Sequence, residues 1–285
     1  MGAAGTSDFY TDGVNVLLRA FGSVVLAGAL GIQGCASSPS SGAVLSLPPG
    51  RAHFDYQLGG SSPIPDGAAV VARDSTDSPA PGVYGICYIN GFQSQPNVSW
   101  PSALLLHSRS GELLVDAGWP DEHIFDISTE VKRVAIAQRL SRDIHRCKTA
   151  GYRSVEFDNL DSYSRSHGAL TVANAISFAR VLVAQAHGAG LAAAQKNTAE
   201  LGFRGRQEIG YDVAITEECD RFDVCAQFSR VYGSRVFNIE YVGELRGTVA
   251  TVCARLRANR SAPSTIIRDV NLAPSGAPDH FYRAC

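Results

Sequence analysis

The sequence predicts an α/β fold, a single (β/α)8 TIM barrel, and three observations carry that prediction. Short Val/Ile-rich runs without polar alternation recur along the chain, as expected for a parallel sheet buried on both faces. Stretches of helical periodicity separate them. Residues 35–285 also have the roughly 250-residue length of one such barrel. A doubly wound open sheet is the alternative. No G-x-G-x-x-G follows a strand to support its dinucleotide-binding version.

The elements follow in chain order. Arg19 precedes an apolar and small-residue stretch at 20–32. It is too short to span a bilayer and has the length of a signal-peptide core. It ends in Ile32-Gln33-Gly34-Cys35, which resembles a bacterial lipobox. On that reading residues 1–34 are a lipoprotein signal peptide and Cys35 carries a lipid that anchors the chain to the membrane. Gln33 departs from the usual small residue. Plain secretion and a buried core segment are the other readings. Residues 35–50 form the lipidated cysteine and a flexible tether, Ser- and Pro-rich at 36–43. The barrel then occupies 51–285.

Candidate strands lie at 54–58, 68–72, 83–89, 123–127, 154–157, 191–195, 213–216, 236–239 and 265–267. That is one more than a barrel needs, so one lies outside it. Two helices stand out. At 129–149, Ile136, Leu140, Ile144 and Cys147 share one stripe, with Ser128 as N-cap and Gly151 just past the end. At 172–187, Val172, Ile176, Ala179, Val183 and Ala186 share another, with Thr171 as N-cap and Gly188 as stop.

If Cys35 is lipidated, an even number of cysteines remains: Cys87, Cys147, Cys219, Cys225, Cys253 and Cys285. In an exported chain this implies disulfides. Cys219 and Cys225 suit a local loop clasp, and Cys285 can pin to Cys253. Cys87, inside an apolar run, reads equally as a buried free thiol. No pair has C-x-x-C spacing, which disfavours zinc.

Several function classes fall away. The 285-residue chain has a formal net charge of −2 and no basic patch suited to nucleic acid. Its histidines form neither H-x-H nor H-E-x-x-H, and no G-x-S-x-G is present. Metal-dependent hydrolysis and the common serine elbow therefore have little support. No cofactor is expected, and the chain is expected to act as a monomer.

Barrel chemistry sits at the C-terminal strand ends. Polar residues collect there: Asp74; Tyr88 and Asn90; Asp158 and Asn159; Lys196 and Asn197; Glu217; Glu240 and Tyr241. The densest cluster is Glu156-Phe157-Asp158-Asn159-Leu160-Asp161-Ser162-Tyr163. Like charges this close cost stability unless they are solvated, paired or used. The two-residue strand period puts Glu156 and Asp158 on one face. Glu156 lies deeper and reads as a buried ion pair with a partner such as Lys196. Asp161 is either a site residue or a cap of the next turn. Glu217 and Glu218 cannot both point inward, and Glu217 is the inward one. Glu218, Asp220 and Asp223 read as a solvated acidic loop. Two carboxylates on separate strand ends are what glycosidic bond cleavage requires.

These motifs together resemble glycoside hydrolase family 114, the endo-α-1,4-polygalactosaminidases, over residues 53–242. The pieces run in order. They begin with Asp55-Tyr56-Gln57-Leu58, Gly85-Ile86-Cys87-Tyr88-Ile89 and Trp119-Pro120-Asp121-Glu122 with Phe125-Asp126-Ile127. The Glu156–Tyr163 cluster follows, then Leu170-Thr171, Ala186-His187-Gly188-Ala189-Gly190-Leu191 and Gln195-Lys196-Asn197. Glu217-Glu218-Cys219 with Cys225, Val236-Phe237 and Glu240-Tyr241 complete the set.

The resemblance implies a (β/α)8 barrel with Asp158 as nucleophile and Glu217 as general acid/base, in a retaining mechanism. Tyr88, Asn159, Asp161, Tyr163, Lys196, Asn197 and Tyr241 would line the sugar subsites, with Asp74 and Glu240 on the same rim. The implied partner is an amino-sugar polysaccharide. The chain departs from the family at Phe157, usually Pro; Glu218, usually Gln; Asn90, usually Ser; and Asp220, usually aromatic. Phe157 should point away from the barrel axis. The competing readings are a non-catalytic surface lipoprotein that binds polysaccharide on the same barrel, and an esterase or deacetylase of the same polymer.

Overall fold

Eight parallel strands follow one another around the barrel in chain order in the computed structural model, which describes residues 44–285. They are β1 (Phe54–Gln57), β2 (Val70–Asp74), β3 (Tyr84–Asn90), β4 (Ser154–Asp158), β5 (Ala192–Lys196), β6 (Val213–Glu217), β7 (Val236–Tyr241) and β8 (Ser264–Arg268). A short β9 (Tyr282–Ala284) pairs antiparallel with β8. The expected signal peptide, Cys35 and the expected tether up to residue 43 lie outside the described residues. The chain just ahead of residue 51 is already bonded to the barrel. The Tyr84 hydroxyl donates to the Ser46 carbonyl at 2.6 Å, and Arg235 Nε donates to that of Pro48 at 3.1 Å.

Eight of the nine candidate runs fall on these strands. The surplus run at 123–127 makes only isolated antiparallel bridges, to Gln93, Leu105 and Val115. Its partners come from the same long β3-to-helix connection, so it builds a loop wall rather than a barrel stave. β9 carries no apolar run and is not readable by pattern. It lies beside the seam between β8 and β1, where side chains make the bridge. Arg268 is 1% exposed. Its Nη1 donates to Asp55 Oδ1 at 3.0 Å and to the Tyr56 carbonyl at 2.5 Å. The Tyr282 hydroxyl donates to the Phe54 carbonyl at 2.8 Å.

Helices follow some of the strands. They are α1 (Glu130–Ala150), α2 (Val172–Gly188), α3 (Cys225–Tyr232) and α4 (Val249–Ala258). The β1–β2 and β2–β3 connections are rich in Gly and Pro and run as turns, because proline removes a helical donor and glycine costs helical order. The expected α1 stripe is buried. Its N-cap is Thr129, whose hydroxyl accepts from the Lys132 amide, not Ser128, whose hydroxyl donates to Asp126. Gly151 ends α1 with φ of 100°. Thr171 caps α2 in a capping box with Asn174. Gly188 is still helical, and the left-handed residue that turns the chain is Gly190, at φ 73°.

Strand alternation sorts the core into two layers. Phe54, Tyr56, Val70, Ala72, Ile86, Ile215, Phe237 and Ile239 fill the barrel interior. Val155, Phe157 and Ala193 point outward against the helices, with Ile176 and Leu182 of α2. Phe157 therefore does face away from the axis. Disulfides join Cys87 to Cys147, Cys219 to Cys225 and Cys253 to Cys285. The two local pairings are as expected. Cys87 is not a free thiol but ties β3 to α1. Three such bonds belong to an oxidising compartment, as in exported proteins.

Candidate active site

A cavity of about 570 Å³ opens at the C-terminal end of the barrel. Six consecutive strands, β2 to β7, each deliver one inward side chain to it: Asp74, Tyr88, Asp158, Lys196, Glu217 and Tyr241. Each sits at an inward position of its strand.

Lys196 is the hub. Its ammonium is buried and lies 3.1 Å from Glu156 Oε1, 3.2 Å from Asp158 Oδ2 and 3.3 Å from Glu217 Oε2. It also donates to the Tyr56 hydroxyl at 3.0 Å, and that hydroxyl donates to Glu156 Oε1 at 2.7 Å. Burial alone would strip the lysine of its proton, but Asp158 and Glu217 outweigh it and hold its pKa well above the ordinary value. One cation cannot satisfy three carboxylates. Burial pushes the Glu156 carboxyl up to about 7, opposed by the same lysine. Its Oε2 has no hydrogen-bond partner, which leaves an ionised form incompletely stabilised.

That raised value has a consequence for stability. The unfolded chain releases this proton near pH 4.5, the native chain near pH 7, so the native state binds more protons between those values. The stabilisation is complete below pH 4.5 and is lost as pH rises through 7. A Glu156→Gln variant lacks the effect. Urea unfolding at pH 4.5 and pH 8 should show the difference in stability between parent and variant shifting by about 3 kcal/mol, against the parent at the higher pH. An unchanged difference would mean that Glu156 stays ionised throughout.

The two carboxylates nearest the rim are held individually. The Tyr88 hydroxyl donates to Asp158 Oδ2 at 2.8 Å, and the Asn159 amide to Oδ1 at 2.7 Å. Tyr241 donates its hydroxyl to Glu217 Oε1. Asn197 donates Nδ2 to Glu217 Oε2 at 3.1 Å while its Oδ1 accepts the Glu217 amide at 2.7 Å. Sharp left-handed turns follow three of these strands, at Asn159 (φ 62°), Asn197 (φ 45°) and Glu218 (φ 58°). Asn tolerates that conformation; Glu does so less readily, which marks Glu218 as held there by its surroundings.

The turn carries Glu218 away from the cavity floor to Arg221, 2.7 Å away. The acidic loop is therefore not simply solvated. Asp220 is buried against Arg255, and only Asp223 stands out in solvent. Two further expectations need correction. Glu240 is 1% exposed and on the helix side of β7, where it accepts from the Asp220 amide and from Asn238. Adjacent strand residues face opposite ways, so Glu240 and Tyr241 cannot both reach the rim. Tyr163 does not line the cavity; its hydroxyl donates to Glu200 at 2.5 Å. Asp161 does line it, paired with Arg165 at 3.0 Å, and its side chain caps no turn.

The long β3–α1 connection adds a wall that strand-end reasoning misses. It brings Asp116, Trp119 and Glu122 to the cavity, and the β4–α2 loop brings Arg165. Arg165 lies 2.5 Å from Asp116 and donates to Asn159 Oδ1 at 3.0 Å. Glu122 accepts from Asn90 at 2.8 Å, and burial raises its pKa. The Trp119-Pro120-Asp121-Glu122 motif is the sequence signal for this wall. A separate cavity of about 260 Å³ lies at the opposite barrel end, against Arg51, Leu256 and Cys285. Among the described residues no acidic side chain lines it, so carboxylate chemistry belongs at the first cavity.

Comparison with known proteins bears on what that cavity does. The model of glycoside hydrolase family GH114 matches residues 35–285. No curated protein matches the sequence. Among solved structures, Aspergillus fumigatus Ega3 in complex with galactosamine is 20% identical, with a TM-score of 0.68 over 85% of this chain and 98% of its own. The glycoside hydrolase domain of PelA from Pseudomonas aeruginosa is 16% identical, with a TM-score of 0.55 over 79% of this chain and 97% of its own. At these identities the likeness is one of fold.

Proposed function

Because the chain belongs to glycoside hydrolase family GH114 and is therefore a glycoside hydrolase, we propose that it cleaves α-1,4-linked galactosamine-rich polysaccharide internally, through Asp158 and Glu217. One observation carries the reading. Both carboxylates contact the same ammonium, at 3.2 and 3.3 Å, so their nearest oxygens are no farther apart than the sum of those distances. That ceiling takes in the whole retaining range and only touches the lower edge of the inverting one. Retaining enzymes place their carboxyl groups roughly 5–5.5 Å apart and inverting ones about 6.5–9.5 Å.

In this mechanism Asp158 attacks the anomeric carbon while Glu217 gives its proton to the departing oxygen. Glu217 then takes a proton from the water that releases the sugar from Asp158. Lys196 sits between them as counter-charge and spacer. Asp74 and Glu122 bond to neutral groups of Thr76, Gln95 and Asn90, which leaves negative charge free to attract an ammonium-bearing sugar. The galactosamine in the Ega3 structure is consistent with that choice. The protein would be exported, with Cys35 as its membrane anchor.

The test is digestion of an α-1,4-galactosamine polymer by the full-length protein. Expected are new reducing ends, a rapid fall in chain length, and products that first appear as the α-anomer by NMR. Initial β-anomers would overturn retention. Polymer bound but not shortened would make the protein a binding module.

A further inference from the structure

The two ends of the barrel carry opposite charge. In the active-site cavity six carboxylates surround Lys196 and Arg165. At the other end, the four residues ahead of each strand include Arg51, Arg153, Arg235 and Arg260, against Asp66 and Asp212. Asp212 is paired with His187 at 2.9 Å. Arg51, Arg153 and Arg235 donate to the carbonyls of Arg260, Val83 and Pro48, which cancel no charge, and Arg260 is exposed. Arg51 and Arg260 flank the cavity of about 260 Å³ at this end. Arg257 lines it too, but is bonded to the Cys285 oxygen at 2.7 Å and adds little. The chain ahead of β1 also joins the barrel here. Ser46 is bonded to Tyr84 and Pro48 to Arg235, at the starts of β3 and β7, which are staves on opposite sides. Residues 46–48 thus pass beneath the barrel, with Pro48 buried. On the same segment Val44 is 98% exposed and Leu47 37%.

Arginines around a depression, with apolar side chains beside them in the open, match the chemistry of an anionic bilayer surface. Guanidinium groups bind phosphate in pairs of hydrogen bonds, and apolar side chains gain by entering the layer beneath the headgroups. A soluble acidic polymer would satisfy the arginines but leave Val44 and Leu47 in water. The formal net charge of −2 gives such a surface no general attraction for the chain. Only the arginine-bearing end is drawn to it, while the carboxylate end is repelled, so charge selects one orientation. We propose that this end of the barrel rests on an anionic phospholipid surface, with Arg51 and Arg260 on headgroup phosphates and Val44 and Leu47 in the interfacial layer. The active site then opens away from the membrane, toward the polymer. The inference needs neither the galactosamine reading nor a lipid on Cys35; such a lipid would pull on the same end.

The experiment is co-sedimentation of the full-length chain, as Cys35→Ser so that no lipid is attached, with two kinds of vesicle. One is phosphatidylcholine alone and the other is a mixture with phosphatidylglycerol. Each basic residue near an anionic surface strengthens binding about five-fold, so the mixed vesicles should be preferred by at least about 25-fold. Adding Arg51→Gln and Arg260→Gln should remove about 25-fold of that preference. Adding Arg109→Gln and Arg246→Gln instead, which changes the net charge equally on the connections that follow β3 and β7, should leave it nearly intact. The apolar stretch at 20–32 is common to all these proteins and cannot produce a difference between them. Raising salt from about 0.1 to 1 M should abolish the preference, because charges are then screened within about 3 Å. Equal binding to both vesicles, a preference indifferent to salt, or equal losses in the two double variants overturns the inference. Inorganic phosphate that blocks binding at constant ionic strength would make the cavity a discrete phosphate site and overturn the membrane assignment. Should the Arg51 and Arg260 variant not fold, the salt dependence of the parent decides.

Discussion

Asp158→Asn is expected to lower kcat by about 10⁴-fold or more, and Glu217→Gln by about 10²–10⁴-fold. The two losses should differ in kind. Asparagine cannot form the covalent link to the sugar, so no choice of substrate restores Asp158→Asn. Glutamine only fails to protonate the departing oxygen. A galactosaminide whose leaving group departs without a proton should therefore recover much of the first step in Glu217→Gln, with glycosyl-enzyme then accumulating. Pre-steady-state release of such a leaving group checks both. Each change nearly preserves shape, and Tyr88 and Tyr241 still have an oxygen to bond to. Circular dichroism should show both variants folded. Full activity in either variant would remove that residue from the mechanism.

Lys196→Met should be the most destabilising single change at the site. It keeps most of the unbranched side chain and deletes the cation that Glu156, Asp158 and Glu217 share. Breaking a buried charge cluster by removing one partner costs about 3–5 kcal/mol. Activity should fall at least about 10²-fold, because the counter-charge between Asp158 and Glu217 is gone and only their separate bonds to Tyr88, Asn159, Tyr241 and Asn197 remain. Urea unfolding measures the first effect, and reducing-end release the second. If Lys196→Met does not fold, Tyr56→Phe provides a milder probe. It removes a hydroxyl bonded to both Lys196 and Glu156 and should cost about 1–2 kcal/mol. Parent-like stability in both variants would mean that the cluster does not hold the barrel floor together.

Much of this arrangement is legible in the amino-acid sequence. Residues 154–157 read as a strand, and the two-residue period places Glu156 and Asp158 on one face with Phe157 on the other, as they stand in β4. The same period applied to β7 separates Glu240 from Tyr241; nearness to a strand end, taken alone, puts both on the rim. The stripe of α1 and Thr171 as the cap of α2 are local patterns and appear where local chemistry puts them. The run at 123–127 has strand composition, but composition does not name a partner. Its neighbours lie in its own loop.

The sequence by itself determined which strand ends carry charged and polar groups, and, in β4, which side Glu156, Phe157 and Asp158 occupy. Alternation along a strand is a property of the backbone and needs no distant partner. It offered the local Cys219–Cys225 clasp, six positions apart, as one pairing among several, and the structure made the choice. Only the tertiary structure decided that three carboxylates share one lysine, that Trp119 and Glu122 fold over the rim, and that Cys87 finds Cys147 across 60 positions of chain. Those are contacts between segments brought together by sheet register and barrel curvature. Register is set by how all the strands pack at once, so no single stretch of sequence encodes it.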